Sequence, residues 1–473
     1  MPANETSPEA APRAKFPRSF WTANVTELFE RGAYYAMASF VVQYLGELGF
    51  GEYWPSFFNS TLLWGLIYFL PVLSGTIADQ IGFKKTLLAA FVMLAAGYFL
   101  MGYPVWLGGE QLAKVIEPEV TAGANVVLPV LLAILLIGMG GSVIKPCISG
   151  TVQKTAGVTG RATLGFGIFY MVINIGSLFG RGIAYLFRKE FDLSYIFAVA
   201  VGCSVLAFFA VLIFYVDPEK ELGTGGEKKP RKSVPRILKD MVLVLRNGRF
   251  TLFLLASTGF FFLYNQVYNV IPLYLKRVVE LDPAVDIITM ANPFVIVAFQ
   301  LLITRLFGKW KPINSIVVGT IIIGLSMVVN LVPIFTAGGV RELTLGEIAP
   351  IASVFAALTV GLVAFGELFT SARTYEYIGA LAPRGQEGLF LGYANLPMAL
   401  GAITGGPVGA VIFNEIMCHG HTVRPDGLLE LDPSWNAAGW VLLMGIGFAS
   451  AFGMWLYNRW LKNTAKKEQP SEG

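Results

Sequence analysis

Charge is scarce in this chain. Of 473 residues only 14% are Asp, Glu, Lys or Arg, against about 25% in a soluble protein, too few to cover a water-facing surface of that size. An ordinary soluble enzyme, a disordered protein and a nucleic-acid binder are excluded. Cysteine is scarce too. Cys147, Cys203 and Cys418 offer no disulfide framework, and two of them lie in apolar runs as small hydrophobes. The only histidines, His419 and His421, stand beside Cys418; the cluster is short and lacks further spaced ligands, so no metal site is expected. No nucleophile–base arrangement or phosphate loop occurs, so neither an enzyme nor an organic cofactor is expected. Strand-type alternation is missing as well, which argues against a barrel.

What the chain has is apolar length. Hydrophobic residues make up 55% and mean hydropathy is +0.62. A helix needs about 20 apolar residues to span a bilayer, and twelve such runs occur, at 20–46, 57–80, 86–105, 126–153, 163–187, 193–216, 250–275, 287–307, 313–335, 349–378, 388–413 and 435–460. The first run carries Glu27, Glu30 and Arg31 and has no small-residue cleavage pattern, so it is not expected to be a cleavable signal peptide. With residues 1–19 placed in the cytoplasm, 24 Lys and Arg fall in cytoplasmic segments, Arg305 and Arg459 at the cytoplasmic ends of their runs included, and 7 in the loops opposite. That split predicts both termini inside.

Between runs six and seven lies a basic connector with Gly-Thr-Gly-Gly and Glu-Lys-Lys-Pro-Arg-Lys, a linker by composition. Its second part, Val234–Arg249, gathers Ile237, Leu238, Met241, Val242 and Leu245 on one helical face, as a segment lying on the membrane surface would. The expected organisation is a cytoplasmic segment at 1–19, a six-helix bundle at 20–216, a linker at 217–249, a second six-helix bundle at 250–460 and a cytoplasmic tail at 461–473: an all-α integral membrane protein, multi-pass in the cell membrane and monomeric, whose partners are the lipid bilayer and a small solute.

Ionisable groups inside the spans are the informative residues, because each costs about 2.5–3.5 kcal/mol to insert and is functional by default. Glu27, Glu30 and Arg31 share one face of the first span, with Tyr34, Tyr35 and Ala38 continuing it. Lys145, followed by Pro146, lies in the fourth span and Glu367 in the tenth; opposite charges on different helices predict a cross-bundle ion pair. A static bridge is the alternative, but a buried pair is often no more stabilising than apolar side chains, so a pair that exchanges a proton has the better reason to persist. Arg181, seven residues before Arg188, is expected to snorkel to the outer end, and Arg373 and Glu376 to pair with each other. The remaining charges sit at helix ends and call for no special role.

Six plus six spans about a basic linker resemble a major facilitator transporter. Gly75-Thr-Ile-Ala-Asp79-Gln-Ile-Gly82-Phe-Lys84-Lys85 resembles that superfamily's loop motif G-x-x-x-D-R-x-G-R-K, with Gln80 and Phe83 in place of its arginines. Gly75, Asp79 and Gly82 would then form a conformational latch, Asp79 meeting a helix N-terminus of the other bundle. Five further segments resemble the proton-dependent oligopeptide transporter family. They are Glu27-Leu-Phe-Glu30-Arg31-Gly-Ala-Tyr34-Tyr35, Lys145-Pro146, Phe169-Tyr170-Met-Val-Ile173-Asn174-Ile-Gly176-Ser177-Leu178, Asn292-Pro293-Phe294, and Gly366-Glu367-Leu368 with Leu381-Ala382-Pro383.

That resemblance implies proton-coupled symport of di- or tripeptides, or of a peptide-like solute, with protons as the coupling ion. It assigns proton handling to Glu27, Glu30, Arg31, Lys145 and Glu367. It lines the solute pocket with Tyr34, Tyr35, Tyr68, Lys145, Asn174, Asn292 and Glu367. Departures from the family pattern bear on the solute. Ala38 stands where the family has an Arg expected to hold a peptide carboxylate, and Asn265, before Gln266, stands where that Arg has its acidic partner. Ala394 replaces a Trp, and Ser371-Ala-Arg373 replaces Ser-Pro. Paired loss of Arg and acid avoids a stranded charge and leaves a different amphiphilic solute as an alternative. A proton–drug antiporter fits less well, because the antiporter glycine motif belongs on the fifth span and the similar Gly401-Ala-Ile-Thr-Gly405-Gly406-Pro407 is on the eleventh.

Overall fold

The computed structural model describes residues 15–468 apart from 72, 75–77, 79, 80, 160, 161, 224–234, 236–238, 240, 241, 244, 345–347 and 382–392, and apart from the side chains of 162–164, 372, 375, 376, 379, 380 and 464–468. Gly75 and Asp79 of the latch, most of the amphipathic linker segment, Ala382-Pro383 and the Glu376 side chain therefore lie outside the described residues.

Among the described residues ten helical stretches are long and apolar enough to cross a membrane. They coincide with the third to twelfth predicted runs. They comprise α4 (Phe83–Trp106), α5 (Ala124–Val158), α6 (Ala162–Glu190), α7 (Tyr195–Phe214), α8 (Gly248–Gln266), α10 (Ala291–Phe307), α11 (Pro312–Val328), α12 (Ile351–Leu381), α13 (Leu396–Val411) and α14 (Pro433–Glu468). The first two runs are built differently. Run 20–46 is not one helix but two, α1 (Arg18–Met37) and α2 (Val41–Glu47), separated by a turn at 38–40. Run 57–80 opens as a π-helical segment, Phe57–Trp64, and continues as α3 (Gly65–Phe69).

An internal repeat organises the packing. In the first half of the chain α1 packs on α6 and α7, while α4 packs on α5 and α7. In the second half α8 packs on α13 and α14, while α11 packs on α12 and α14, the same pairing displaced by six runs. The repeat extends to a defect. α8 is interrupted at 267–269 just as the first run is at 38–40, and resumes as α9 (Val270–Tyr274) and a π-helical turn, Leu275–Val279. The two short pieces beyond the breaks, α2 and α9, pack against each other. Elsewhere the halves meet where α13 packs on Phe57–Trp64 and α3, and where α6 packs on α10 and the short helix Val285–Thr289.

Small residues permit the closest approaches. A methyl group on Gly180 of α6 would collide with the Gly32 carbonyl of α1, and one on Gly319 of α11 with Thr370 and Gly366 of α12. Outward faces are apolar. Leu128, Leu132, Leu135 and Met139, spaced by four, three and four residues along α5, are each about half exposed or more, a stripe that needs lipid rather than water against it. Two helix starts are held by polar side chains. Asn247 accepts from Phe250 N–H at 3.2 Å. Gly82, at φ +97°, begins α4, and Asp217 accepts from Lys84 N–H at 2.9 Å. Two short antiparallel hairpins, Leu343–Thr344 with Ala349–Pro350 and Thr422–Val423 with Leu429–Glu430, decorate the loops. Those loops form the far end of the molecule; residues 15–18 and 217–221 mark the linker end.

Candidate functional site

The polar centre starts from the close packing of α1 on α6. Glu27, Glu30 and Arg31, one turn apart on α1, are all buried, with Glu27 wholly so. Arg31 Nε donates to Glu30 and lies 3.3 Å from Glu27 Oε1. Neither Glu27 oxygen has a hydrogen-bond partner. Two carboxylates therefore share one guanidinium, and Glu30 holds the better part of it. Arg31 also sits over the rings of Tyr34 and Tyr35, at 5.2 and 5.9 Å.

Lys145 and Glu367 do not form the expected ion pair. Glu367 on α12 accepts instead from Asn292 Nδ2 of α10 and Ser371 Oγ, each at 3.4 Å. Lys145 on α5 lies over the Tyr68 ring at 4.8 Å and is near enough to Glu27, Glu30 and Glu367 to interact with them electrostatically. Both residues are only half buried, and they stand on opposite halves, Lys145 on α5 and Glu367 on α12. Asn174, whose amide turns back to the Tyr170 carbonyl at 2.9 Å, is buried on α6. The structure thus gathers all the predicted proton and solute residues into one central region.

Three residues that the sequence left aside complete it. Tyr264, Tyr268 and Trp64 form an aromatic wall, with Trp64 centred 5.7 Å from Tyr68 and 4.8 Å from Tyr268. Their helical spacing was a usable signal: Trp64 precedes Tyr68, and Tyr264 precedes Tyr268, by four residues. Arg181 corrects an expectation outright. It does not snorkel but is 1% exposed, lies 4.4 Å over Tyr35, and donates to Ser177 and Thr289 and to the Tyr268 hydroxyl. Arg373 donates to the carbonyls of Phe307 and Gly308, at 3.2 and 2.6 Å, closing the end of α10.

Where the family resemblance leads one to expect an ion pair, neutral groups stand. Asn265 Oδ1 accepts from Ser60 Oγ at 2.9 Å and from Asn269 Nδ2 at 2.7 Å. Gln266 donates to the carbonyls of Phe262 and Gly405. Ala38 lies in the break of the first run, and Ala394 is buried near the linker end among Phe250, Tyr393 and Tyr457.

The charges at helix ends do have a role, contrary to the sequence reading. At the far end Arg188 pairs with Asp282 and Asp286, Lys276 with Glu47, and Arg277 with Glu52, each joining one half to the other. Tyr53 donates to Glu415 across the same seam. Arg188, Lys276, Arg277, Glu47 and Asp286 are buried. Among the described residues, every ion pair between the halves lies at this end. In the far-end loop His419 packs against Trp435, and His421 Nδ1 lies 2.7 Å from the Cys418 carbonyl; among the described residues no metal-binding group of His, Cys, Asp and Glu occurs.

The sequence profile of the Major Facilitator Superfamily matches residues 20–375. The chain belongs to this superfamily. Peptide permeases are among the relatives that it matches. Over 232 residues, 48% of this chain and 42% of the relative, it is 25% identical to dipeptide and tripeptide permease B of Photorhabdus asymbiotica. Over 239 residues, 48% and 44% of the two chains, it is 26% identical to an uncharacterized transporter, YclF, of Bacillus subtilis. The matched stretch thus spans less than half the length of these curated relatives. A Na(+), Li(+), K(+)/H(+) antiporter of Planococcus maritimus is 21% identical over 476 residues, 94% of this chain and 97% of that one. In fold, the chain resembles the crystal structure of a POT family transporter in complex with 5-aminolevulinic acid, with a TM-score of 0.70 at 18% identity over 94% of this chain and 98% of that one. The superfamily's two-bundle architecture is what the repeat of helix pairs expresses here.

Proposed function

We propose that this superfamily member is a proton-coupled symporter that moves a di- or tripeptide, or a peptide-like small solute, into the cell by alternating access. The observation that carries the reading is the buried trio on α1. One guanidinium can fully compensate one carboxylate, so of Glu27 and Glu30 the second is a natural resting place for a proton. Loading and unloading that proton changes how strongly Arg31 is held, and only such a difference between states moves a conformational equilibrium. The solute binds midway between the bundles, where Lys145, Asn292 and Glu367 face it. All twelve runs cross the bilayer in this reading, with the linker end and both termini cytoplasmic in keeping with the 24-to-7 split of basic residues. With the far-end ion pairs made, the halves are closed toward the outside. The protein acts as a monomer without metal or organic cofactor and catalyses no covalent change.

The test is uptake of labelled alanyl-alanine into proteoliposomes with an imposed inward proton gradient. One proton moving down 100 mV supplies about 2.3 kcal/mol, enough for about fifty-fold accumulation. Glu30→Gln is expected to leave exchange of solute across the membrane but to abolish accumulation. Undiminished accumulation in Glu30→Gln would falsify the coupling assignment. A second reading, a carrier for a non-peptide amphiphilic solute, draws on Ala38 and Asn265; it predicts that an unlabelled dipeptide panel fails to compete for uptake.

A further inference from the structure

The centre of the molecule holds three cations, Arg31, Lys145 and Arg181, and three carboxylates, Glu27, Glu30 and Glu367. Two of the cations are matched. Arg31 meets Glu27 and Glu30 directly, and Lys145 lies within electrostatic reach of all three acids. Arg181 has no carboxylate within ion-pair distance among the described residues. It is held by neutral oxygens alone, those of Ser177, Thr289 and Tyr268. Hydroxyls satisfy N–H donors but not charge, and a buried charge without a counter-ion is among the costliest features a fold can retain. Of its five N–H donors, those contacts occupy four at most. Each hydroxyl around it can also turn to donate.

Its position is as telling as its charge. Arg181 stands between the two helix breaks. It touches Tyr268 within the break at 267–269. Through Thr289, whose Oγ1 is 2.9 Å from Ser39 Oγ, it reaches the break at 38–40, beside Ala38, where the family resemblance leads one to expect an arginine.

We propose that Arg181 is the receptor for a carboxylate on the transported solute, with Tyr35, Ser177 and Tyr268 completing the site. The assignment rests on the transport reading above and names the class of solute: small molecules with an acid group, an amine or other cationic group at the opposite end facing Glu367. Local pairing of charges supports it: Arg31 meets Glu27 and Glu30, Lys145 lies within electrostatic reach of Glu367, and a solute carboxylate supplies the counter-charge that Arg181 lacks among the described residues.

The experiment is binding to the purified full chain in detergent, with matched acid and amide probes: alanyl-alanine against alanyl-alaninamide, and 5-aminopentanoic acid against 5-aminopentanamide. The wild type is expected to prefer the acid of each pair. Arg181→Gln is expected to lower affinity for the acids about 30-fold or more while moving the amides by about twofold or less, and Arg181→Lys to keep part of the preference. A purely structural Arg181 would shift acids and amides alike. No acid preference in the wild type, or a preference that survives in Arg181→Gln, overturns the assignment. Should Arg181→Gln fail to fold, the double variant Ala38→Arg/Arg181→Gln returns a cation next to the site and must regain the acid preference; its absence there overturns the assignment equally. Gradient-driven uptake reads the other question separately, since acid-selective binding without accumulation leaves Arg181 as the receptor and removes the proton coupling.

Discussion

The two halves of the molecule pair their helices in the same order yet carry opposite chemistry toward the centre. The first half brings Glu27, Glu30, Arg31, Lys145 and Arg181, whereas the second brings one acid, Glu367, surrounded by amides, hydroxyls and aromatic rings. In register with the two breaks, the charged trio on α1 is matched by Ala256, Gly259 and Phe260 of α8, while Asn265, Gln266 and Asn269 lie at the second break itself. Architecture was duplicated; ionisable function was not. Under the proposed function the first half is the electrically responsive partner, and the second offers a fixed polar surface for it and the solute to work against.

That contrast is open to measurement. Arg31→Met would strand Glu27 and Glu30 without a counter-charge, and unfolding in detergent should lose about 3–5 kcal/mol. Raising the acidity of the buffer should recover part of it, because protonating the stranded carboxylates removes the penalty. The neutral counterpart, Asn265→Leu, deprives Ser60 of an acceptor and should cost about 1–3 kcal/mol with no such recovery. Equal losses with equal acid response would erase the distinction between the halves. The smallest effect belongs outside both bundles. The Arg341 hydrogen bond, 2.7 Å, holds Glu430 in the far-end hairpin below the usual carboxylate range. Its contribution is therefore complete above the ordinary carboxylate pKa and disappears as pH falls through the lowered one. Glu430 is half exposed, so Glu430→Gln should lower stability at neutral pH by about 0–1 kcal/mol, a difference that vanishes in strong acid. Thermal unfolding of the two proteins at both pH values decides it.

Much of this was legible from residues alone. Continuous apolar runs marked the ten long helices because a bilayer demands length, and buried ionisable groups marked the centre because insertion penalises them. Other features left no local trace. The break at 38–40 contains Ala38, Ser39 and Phe40, with neither proline nor glycine to announce it, and Ser39 finds its partner 250 residues away in Thr289. The break at 267–269 did carry a local mark, Pro272 three residues from its end, which withholds the N–H that would bond the Tyr268 carbonyl. Spacing placed Arg181 near a helix end and so suggested escape to the surface; what it did not reveal is that Tyr268 and Thr289 from the other half cover it. The far-end ion pairs were missed for a related reason. Helix-end charges normally face water, and only the seam between the halves turns Arg188, Lys276 and Arg277 inward. Lys145 and Glu367 were recognised as a pair of opposite charges, but sequence does not report the separation at which a given state holds them.

The matched interruptions in the leading helix of each half have a mechanical corollary. The pieces past them, Val41–Glu47 and Val270–Tyr274, rest on one another and bear or adjoin the charged clasp of Glu47 with Lys276. Such stubs can tilt apart like paired drawbridges while the long shafts beneath stay planted. In the proposed transport cycle, opening that end means rehydrating a handful of ions and swinging two light levers, with the polar centre below left assembled.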